Sequence, residues 1–286
     1  MSLSPSTTYR GRVAPSPTGL LHLGHARTFW MAAERALQNN GMLILRNEDL
    51  DPQRCRPEFV TSVYEDLKWL GIEWTEGPDC GGPFAPYSQS ERRALYLKAW
   101  RTLRESGWIY PCSCSRKDLA DAADAPNESD DEPLYPGTCR NRPDAASFIS
   151  TVAVNWRFRV PDGQAIEFED QNLGKQTFVA GRDFGDFVIW RRDDVPAYQL
   201  AVTVDDALMQ ITEVVRGADL LKSTARQLLL FHALGCLAPA YYHCTLVRDS
   251  SGTRMAKRHD SASIRRLREE GLKPAELLRK AEELAE

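Results

Sequence analysis

No apolar run in this 286-residue sequence approaches the roughly 20 residues that a membrane-crossing helix needs, so no membrane partner is expected. The N-terminus lacks a basic stretch followed by an apolar core, so no secretion signal is expected, and a cytoplasmic location is. Charge of one sign is not in excess either. The formal net charge is −4, so composition does not announce a nucleic-acid binder, and any RNA contact must rest on a local basic patch. In a reducing compartment the seven cysteines read as thiols or metal ligands rather than disulfides. Residues 120–133, ADAADAPNESDDEP, lack bulky apolar side chains. Such a stretch cannot anchor in a core and reads as a solvated loop.

What is present is an ordinary globular balance, 42% apolar and 27% charged, in a chain long enough for one large core or two modest ones. Tyr9 to Ala14 reads as a strand. Gly24 to Asn39 reads as a helix with Ala26, Phe29, Trp30, Ala33 and Leu37 on one face, stopped by Asn40-Gly41. Met42 to Leu45 fits a buried parallel strand. Helices follow over Glu58 to Leu70 (Phe59, Val63, Leu67, Leu70) and Arg92 to Leu103 (Leu95, Ala99, Leu103). Strand, helix, strand, helix is the pattern of a doubly wound α/β domain. From Val152 to Trp190 the period changes to short alternating segments punctuated by Gly163, Gly174, Gly181 and Gly185, which predicts an inserted β-rich subdomain apart from the wound sheet. Tyr198 to Val204 and Ile211 to Val215 return to the core. Leu220 to Leu234 is a helix, Tyr241 to Val247 a last strand, and Ser263 to Glu270 and Pro274 to Leu284 two short helices.

The stretch that organises the rest is Arg12 to Arg27, RVAPSPTGLLHLGHAR. An apolar strand end runs into a Pro-Ser-Pro-Thr-Gly turn, and His22 and His25 then fall at a helix start. Free backbone N–H groups and the positive end of the helix dipole favour phosphate there. Gly24 between the histidines lets a bulky anion approach the backbone, and two imidazoles three residues apart can reach one oxyanion as donors. By itself HxGH is equally a helix cap with two surface histidines. Later, Asp249 to Arg258 places turn formers before Arg254, Lys257 and Arg258. A lysine ammonium is suited to a phosphate whose charge grows in a transition state.

Cys112 and Cys114 form a CxC pair, and Cys139 follows. Three thiolates leave one ligand of a tetrahedral structural zinc to find; three reduced structural thiols are the alternative. Cys55, Cys80, Cys236 and Cys244 lack ligand spacing, and Cys236 and Cys244 read as core residues.

Four ordered segments together resemble one family. Arg12 to His25 is similar to the first signature of class I aminoacyl-tRNA synthetases in its glutamyl form. Arg254-Met255-Ala256-Lys257-Arg258 resembles the second, lysine-bearing signature, with Arg254 in place of its first lysine and Ala256 in place of its serine. Arg46 to Pro52 and Val214 to Asp219 are the glutamyl-type segments between. The likeness covers nearly the whole chain and is strongest to the shortened, glutamyl-Q branch. The implied fold class is α/β: a Rossmann-like doubly wound parallel sheet, the class I catalytic domain, with an inserted zinc-binding and β-rich subdomain. Its expected parts are 9–107 and 196–247 as the two halves of the catalytic domain, 108–195 as the insertion, and 248–286 as the lysine loop and terminal helices. No anticodon-reading domain is expected, because only about 28 residues follow the lysine loop, too few for a domain of typical size.

The resemblance implies activation of L-glutamate by ATP, a reaction needing placement and charge stabilisation rather than a covalent side chain. His22, Gly24, His25 and Lys257 would bind ATP, with His22, His25 and Lys257 catalytic and magnesium accompanying the nucleotide. A small acidic amino acid presents two carboxylates and one ammonium. Arg12, Glu48, Tyr198 and Arg216, with Ala14 and Ser16, match the glutamate site; arginine binds a carboxylate with a planar fork, and Glu48 would take the ammonium. The glutamyl-Q likeness adds Tyr135 as fourth zinc ligand beside Cys112, Cys114 and Cys139. The implied acceptor is queuosine in the anticodon of tRNA(Asp), with the protein expected to be a monomer. A minimal glutamyl-tRNA synthetase and another HxGH nucleotidyltransferase are the alternative readings, and a zinc-bearing RNA-binding module without activity is a third.

Overall fold

The computed structural model describes residues 8–115, 118, 134–247 and 263–285. The expected acidic loop and the lysine loop with Arg254, Ala256 and Lys257 lie outside the described residues.

The first strand β1 (Arg10–Val13), the helix α1 (Leu23–Gln38) and the strand β2 (Met42–Leu45) form one unit. β1 and β2 are parallel, Arg10 opposite Met42 and Val13 opposite Leu45. The chain turns between α1 and β2 through Asn40 at φ 48° and Gly41. A Cβ at Gly41 would lie 2.5 Å from the Tyr9 carbonyl oxygen, so only glycine lets β2 start against β1. Further on, β8 (Glu213–Gly217) and β9 (Ala240–Cys244) form a second parallel pair. Thr212 N–H donates to Arg10 O at 2.9 Å and Arg12 Nη1 to Val215 O at 2.8 Å. These bonds bring the two parallel pairs side by side.

α1 turns Leu23, Ala26, Phe29, Ala32 and Ala36 into the core. The buried stripe therefore differs from the sequence reading: Trp30 and Ala33 sit at its margin, and Leu37 is 72% exposed. Small alanines at the contact bring α1 close to the strands, and Leu37 falls beyond the sheet's reach. α2 (Pro57–Trp69) starts on a proline, whose missing N–H costs nothing in a first turn, and buries Val63 and Leu67. α3 (Arg93–Glu105) buries Tyr96, Ala99, Trp100 and Leu103. α4 (Tyr198–Leu208) and α5 (Leu221–Ala233) flank β8 in sequence, and their buried residues include Leu200, Ala201, Val204, Ala225, Leu229 and Leu230 in one cluster. Cys244 is buried as expected, whereas Cys236 is only half-buried at the end of α5.

Between α3 and α4, β3 (Ile109–Cys112), β4 (Asn155–Phe158) and β7 (Phe187–Trp190) make an antiparallel sheet in the order β3-β4-β7. β5 (Ala165–Asp170) and β6 (Gly174–Val179) form a hairpin. The hairpin is not set apart from the core. Its sheet runs β6-β5-β9-β8, because Asp170 pairs with Tyr241, Gln171 N–H reaches Tyr241 O at 2.8 Å and Asn172 Nδ2 reaches His243 O at 2.9 Å. The sheet is thus mixed rather than purely parallel.

The last two helices, α6 (Ile264–Glu269) and α7 (Pro274–Glu283), place Ile264, Leu267, Leu277 and Ala281 in the same core as Leu23 and Ala26. Ser263 forms a β-bridge with His22, and Ile264 N–H donates to Leu21 O at 2.8 Å. The chain that follows the lysine loop is therefore attached to the histidine turn.

Candidate active site

The strand ends of β1 and β8, the start of α1 and the start of α4 surround one cleft of about 370 Å³. Arg12, Ala14, Ser16, His22, Gly24, His25, Glu48, Tyr198 and Arg216 all line it. Nine residues chosen from the sequence for two different substrates thus meet in one place, and Lys257 lies outside the described residues.

On the α1 side of the cleft, His22 caps α1. Its Nδ1 accepts from Gly24 N–H at 3.2 Å, and His25 Nδ1 accepts from His22 N–H at 3.2 Å. This reciprocal cap has the logic of a capping box, with imidazoles replacing hydroxyl and carboxylate. It also fixes protonation. A ring nitrogen that accepts carries no hydrogen in neutral imidazole, so Nε2 is the donor nitrogen on both rings. The rings lie 3.8 Å apart between centroids. Gly24 has a second reason to be glycine: a Cβ there would press on His22 Cε1 at 3.2 Å.

The opposite side of the cleft is built on buried charge. Arg46, fully buried, donates to Asp206 at 2.6 Å and to Glu48 at 2.9 Å. Arg12 Nε lies 3.7 Å from Asp206 and makes no hydrogen bond of its own. Burial lowers the Arg12 guanidinium's affinity for its proton, against the pull of Asp206. Burial raises the Glu48 carboxyl, with Arg46 and Arg12 opposing it. A cation entering beside Glu48 would relieve that cost. Arg216 donates from Nη2 to Thr224 Oγ1 at 2.7 Å, from Nη1 to Gln227 Oε1 at 2.9 Å and from Nε to His243 Nε2 at 3.2 Å. The Tyr198 hydroxyl stands 3.5 Å from Arg216 Nη1; burial raises it.

A second cluster sits away from the cleft. The Sγ atoms of Cys112, Cys114 and Cys139 lie within 4.8 Å of one another, with Cys114 and Cys139 3.6 Å apart. The Tyr135 hydroxyl stands 3.4 Å from Cys112 Sγ and 3.6 Å from Cys114 Sγ, and it accepts from Cys139 N–H at 2.8 Å. Tetrahedral zinc with ordinary bond lengths sets S···S at roughly 3.8 Å and O···S at roughly 3.5 Å. The three separations just given are close to those values, and the three thiols with the Tyr135 hydroxyl could hold a metal ion. Burial raises the Cys139 thiol, but the Ser113 main-chain N–H and neighbouring side-chain donors outweigh it and bring it to about 7. Cys114 is pushed up to about 11, chiefly by burial.

Sequence reasoning missed Asp206, Thr224, Gln227 and His243. A signal existed for two of them. Asp205-Asp206 interrupts an otherwise apolar helix, and His243 interrupts an apolar strand. Such residues are costly to bury unless paired.

A sheet with parallel strand pairs, a histidine cap on the first helix and a charged pocket beside it define a class I tRNA synthetase catalytic domain. The family described as tRNA synthetases class I (E and Q), catalytic domain, matches residues 8–284, and the chain belongs to that family of ligases. Within it, the chain is 46% identical over 275 residues to the glutamyl-Q tRNA(Asp) synthetase of Nitratidesulfovibrio vulgaris, covering 94% of this chain and 83% of that one. It is 47% identical over 268 residues to the protein of the same name from Symbiobacterium thermophilum, covering 92% and 82%. The expected likeness to the shortened glutamyl-Q branch is borne out. Among solved structures, a glutamate tRNA ligase from Elizabethkingia meningosepticum, in complex with its amino acid, superposes with a TM-score of 0.77 at 33% identity. That match takes in 88% of this chain but only 52% of the solved one. Among the described residues no helix is long and apolar enough to cross a membrane.

Proposed function

We propose that the protein activates L-glutamate with ATP, without tRNA, and then transfers the glutamyl group to queuosine in the anticodon of tRNA(Asp). The observation that carries this reading is the single cleft shared by the histidine cap and the charged pocket. Arg12, Arg216, Tyr198, Ala14 and Ser16 bind the carboxylates and chain of glutamate, and Glu48 binds its ammonium. His22 and His25 donate from Nε2 to the phosphates at the dipole end of α1, Gly24 gives the nucleotide room, and Lys257 offsets charge on the leaving group. Magnesium, held mainly by phosphates and water, supplies further charge neutralisation when ATP is bound.

In the first step a glutamate carboxylate oxygen attacks the α-phosphorus. The bond to the β-phosphate oxygen breaks, and pyrophosphate leaves with the electron pair. In the second step a queuosine hydroxyl attacks the glutamyl carbonyl carbon, loses its proton, and AMP departs. Cys112, Cys114, Cys139 and Tyr135 hold a structural zinc that ties residues 112–139 together and takes no part in the chemistry. The units doing this work are 9–107 and 196–247 as the catalytic halves, 108–195 as the insertion that meets the anticodon stem-loop, and 248–286 carrying the lysine loop. The protein acts as a monomer in the cytoplasm. The choice of queuosine is supported by similarity to proteins bearing the glutamyl-Q name and by the Tyr135–Cys139 pair beside the CxC.

The test uses purified protein, ATP and labelled glutamate with two preparations of tRNA(Asp), one carrying queuosine and one lacking it. Labelling of the queuosine form alone, surviving periodate blocking of the terminal ribose under conditions that spare queuosine, is expected. Labelling of tRNA(Glu) instead would make the protein a minimal glutamyl-tRNA synthetase. Glutamate-independent pyrophosphate exchange would mark a different nucleotidyltransferase.

A further inference from the structure

One buried chain of polar groups leads to Arg216 through two residues, Asp170 and His243, that the reaction as described does not use. It begins at Asp170, at the end of β5, passes through His243 on β9, and ends at Arg216 on β8. His243 and Thr224 are 0% exposed. His243 Nδ1 stands 2.6 Å from Asp170 Oδ2, and the His243 main-chain N–H also reaches that carboxylate at 3.2 Å.

The protonation of this chain follows from its arrangement. Arginine nitrogens only donate, so His243 Nε2, 3.2 Å from Arg216 Nε, must be an acceptor. The ring hydrogen then sits on Nδ1 and is donated to Asp170. Burial and the adjacent Arg216 bring the His243 imidazole down to about 4, consistent with a neutral ring at pH 7. Asp170, itself lowered because its hydrogen bonds outweigh burial, remains the anion.

Arg216 has five N–H groups. Nε gives one to His243, Nη2 one to Thr224 and Nη1 one to Gln227. The second N–H of Nη1 is directed at the Tyr198 hydroxyl, a long contact of 3.5 Å in the cleft that both residues line, and the second N–H of Nη2 has no partner among these groups. Two parallel N–H groups are what a carboxylate accepts bidentately, and they meet it only if the guanidinium plane is held.

We propose that His243, locked in one tautomer by Asp170, is a positioning residue for the amino-acid site: it holds the Arg216 plane so that one N–H of Nη2 and the Nη1 N–H on the Tyr198 side are presented to a substrate carboxylate. The inference rests on Arg216 belonging to the glutamate site. It also gives the hairpin of β5 and β6 a task, since Asp170 is one of the residues that join it to the core.

The experiment is glutamate-dependent ATP–pyrophosphate exchange with the full chain, supported by calorimetric titration of L-glutamate. His243→Asn keeps a donor for Asp170 and removes the acceptor for Arg216; His243→Gln keeps an acceptor at the Nε2 level. Losing a buried hydrogen bond to a charged group raises the KM for glutamate about tenfold or more. His243→Asn is expected to do so with the KM for ATP unchanged, and His243→Gln to restore most of the loss. Equal effects of the two substitutions, or a parallel rise in the KM for ATP, would overturn the positioning role. Thr224→Val removes the contact at Nη2 and is expected to raise the same KM, which keeps the test open if His243→Asn does not fold. Arg216→Ala separates the two levels. A normal glutamate KM in that variant removes the site reading and the proposal with it. A raised KM there beside a normal one in His243→Asn and Thr224→Val overturns the positioning role alone.

Discussion

Replacing Asp66 by asparagine should change how stability depends on pH. Asp66 lies on α2, is 0% exposed, and neither carboxylate oxygen accepts a hydrogen bond. Its nearest cation is Arg268 Nη1 on α6, at 3.6 Å. Burial raises the carboxyl from 3.8 to about 6 against the pull of Arg268 and Arg265. At about 1.4 kcal/mol per unit, the ionised form costs the folded state about 3 kcal/mol. The native state binds the proton more tightly than the unfolded chain, so it holds more protons between pH 4 and 6. Stability from this group is therefore greatest at and below pH 4, falls as pH rises through 6, and is level above it. Asparagine keeps the shape and removes the charge. Its buried amide costs about 1–2 kcal/mol if poorly bonded, so Asp66→Asn should be more stable than the parent by about 1–2 kcal/mol at pH 7.5. That is roughly 2–6 °C in Tm for a chain of this class of size. At pH 4 the advantage should vanish or reverse. Urea melts of both proteins at pH 4, 5, 6 and 7.5 measure the difference directly. A difference that stays constant over that range, or a less stable variant at pH 7.5, would mean that the Arg268 contact compensates the carboxylate fully and that the reasoning is wrong.

Three other outcomes follow from the same structure. Arg46→Met should cost about 3–5 kcal/mol in chemical denaturation, because it strands Glu48 and Asp206 without their shared cation; Asp206→Asn in the same background should recover part of it. Glu48→Gln should raise the KM for glutamate about tenfold or more while leaving that for ATP within twofold, since it removes the anion proposed for the ammonium; pyrophosphate exchange reads both. Cys139→Ala should lower zinc content and Tm more than it alters glutamate affinity, and equal metal content and Tm in variant and parent would refute the structural zinc.

Local pattern was enough for the helices and short strands, because each has a turn former or cap at its ends and an apolar period within. The cleft residues were legible through the family resemblance rather than through local pattern: Arg12, Glu48 and Arg216 stand at motif positions, and the structure brings them with the histidines into one cleft. What pattern did not reveal depends on partners distant in sequence. The joining of the β5–β6 hairpin to β9 rests on Asp170 meeting His243, 73 residues away, and no period encodes that. The stripe on α1 shifted because the small side chains of Ala32 and Ala36, not the larger Leu37, match the distance to the strands. Asp206 and His243 were legible only as polar residues in apolar company, and which partner each would meet could not be read from one chain.

The cap of α1 divides each signature histidine into two halves. Nδ1 is architecture, since it caps the start of the helix; Nε2 is the atom that the proposed reaction would use. A truncation at His22 or His25 therefore removes a folding device and a donor in one stroke, and lost activity in such a variant is ambiguous about which mattered. Asparagine at position 22 offers a way to part them, because its side-chain oxygen can cap a helix yet cannot extend to where an imidazole Nε2 would be. On the proposed reading, the geometry that would meet a phosphate is set during folding, before any nucleotide arrives, by the hydrogen bonds that begin the helix.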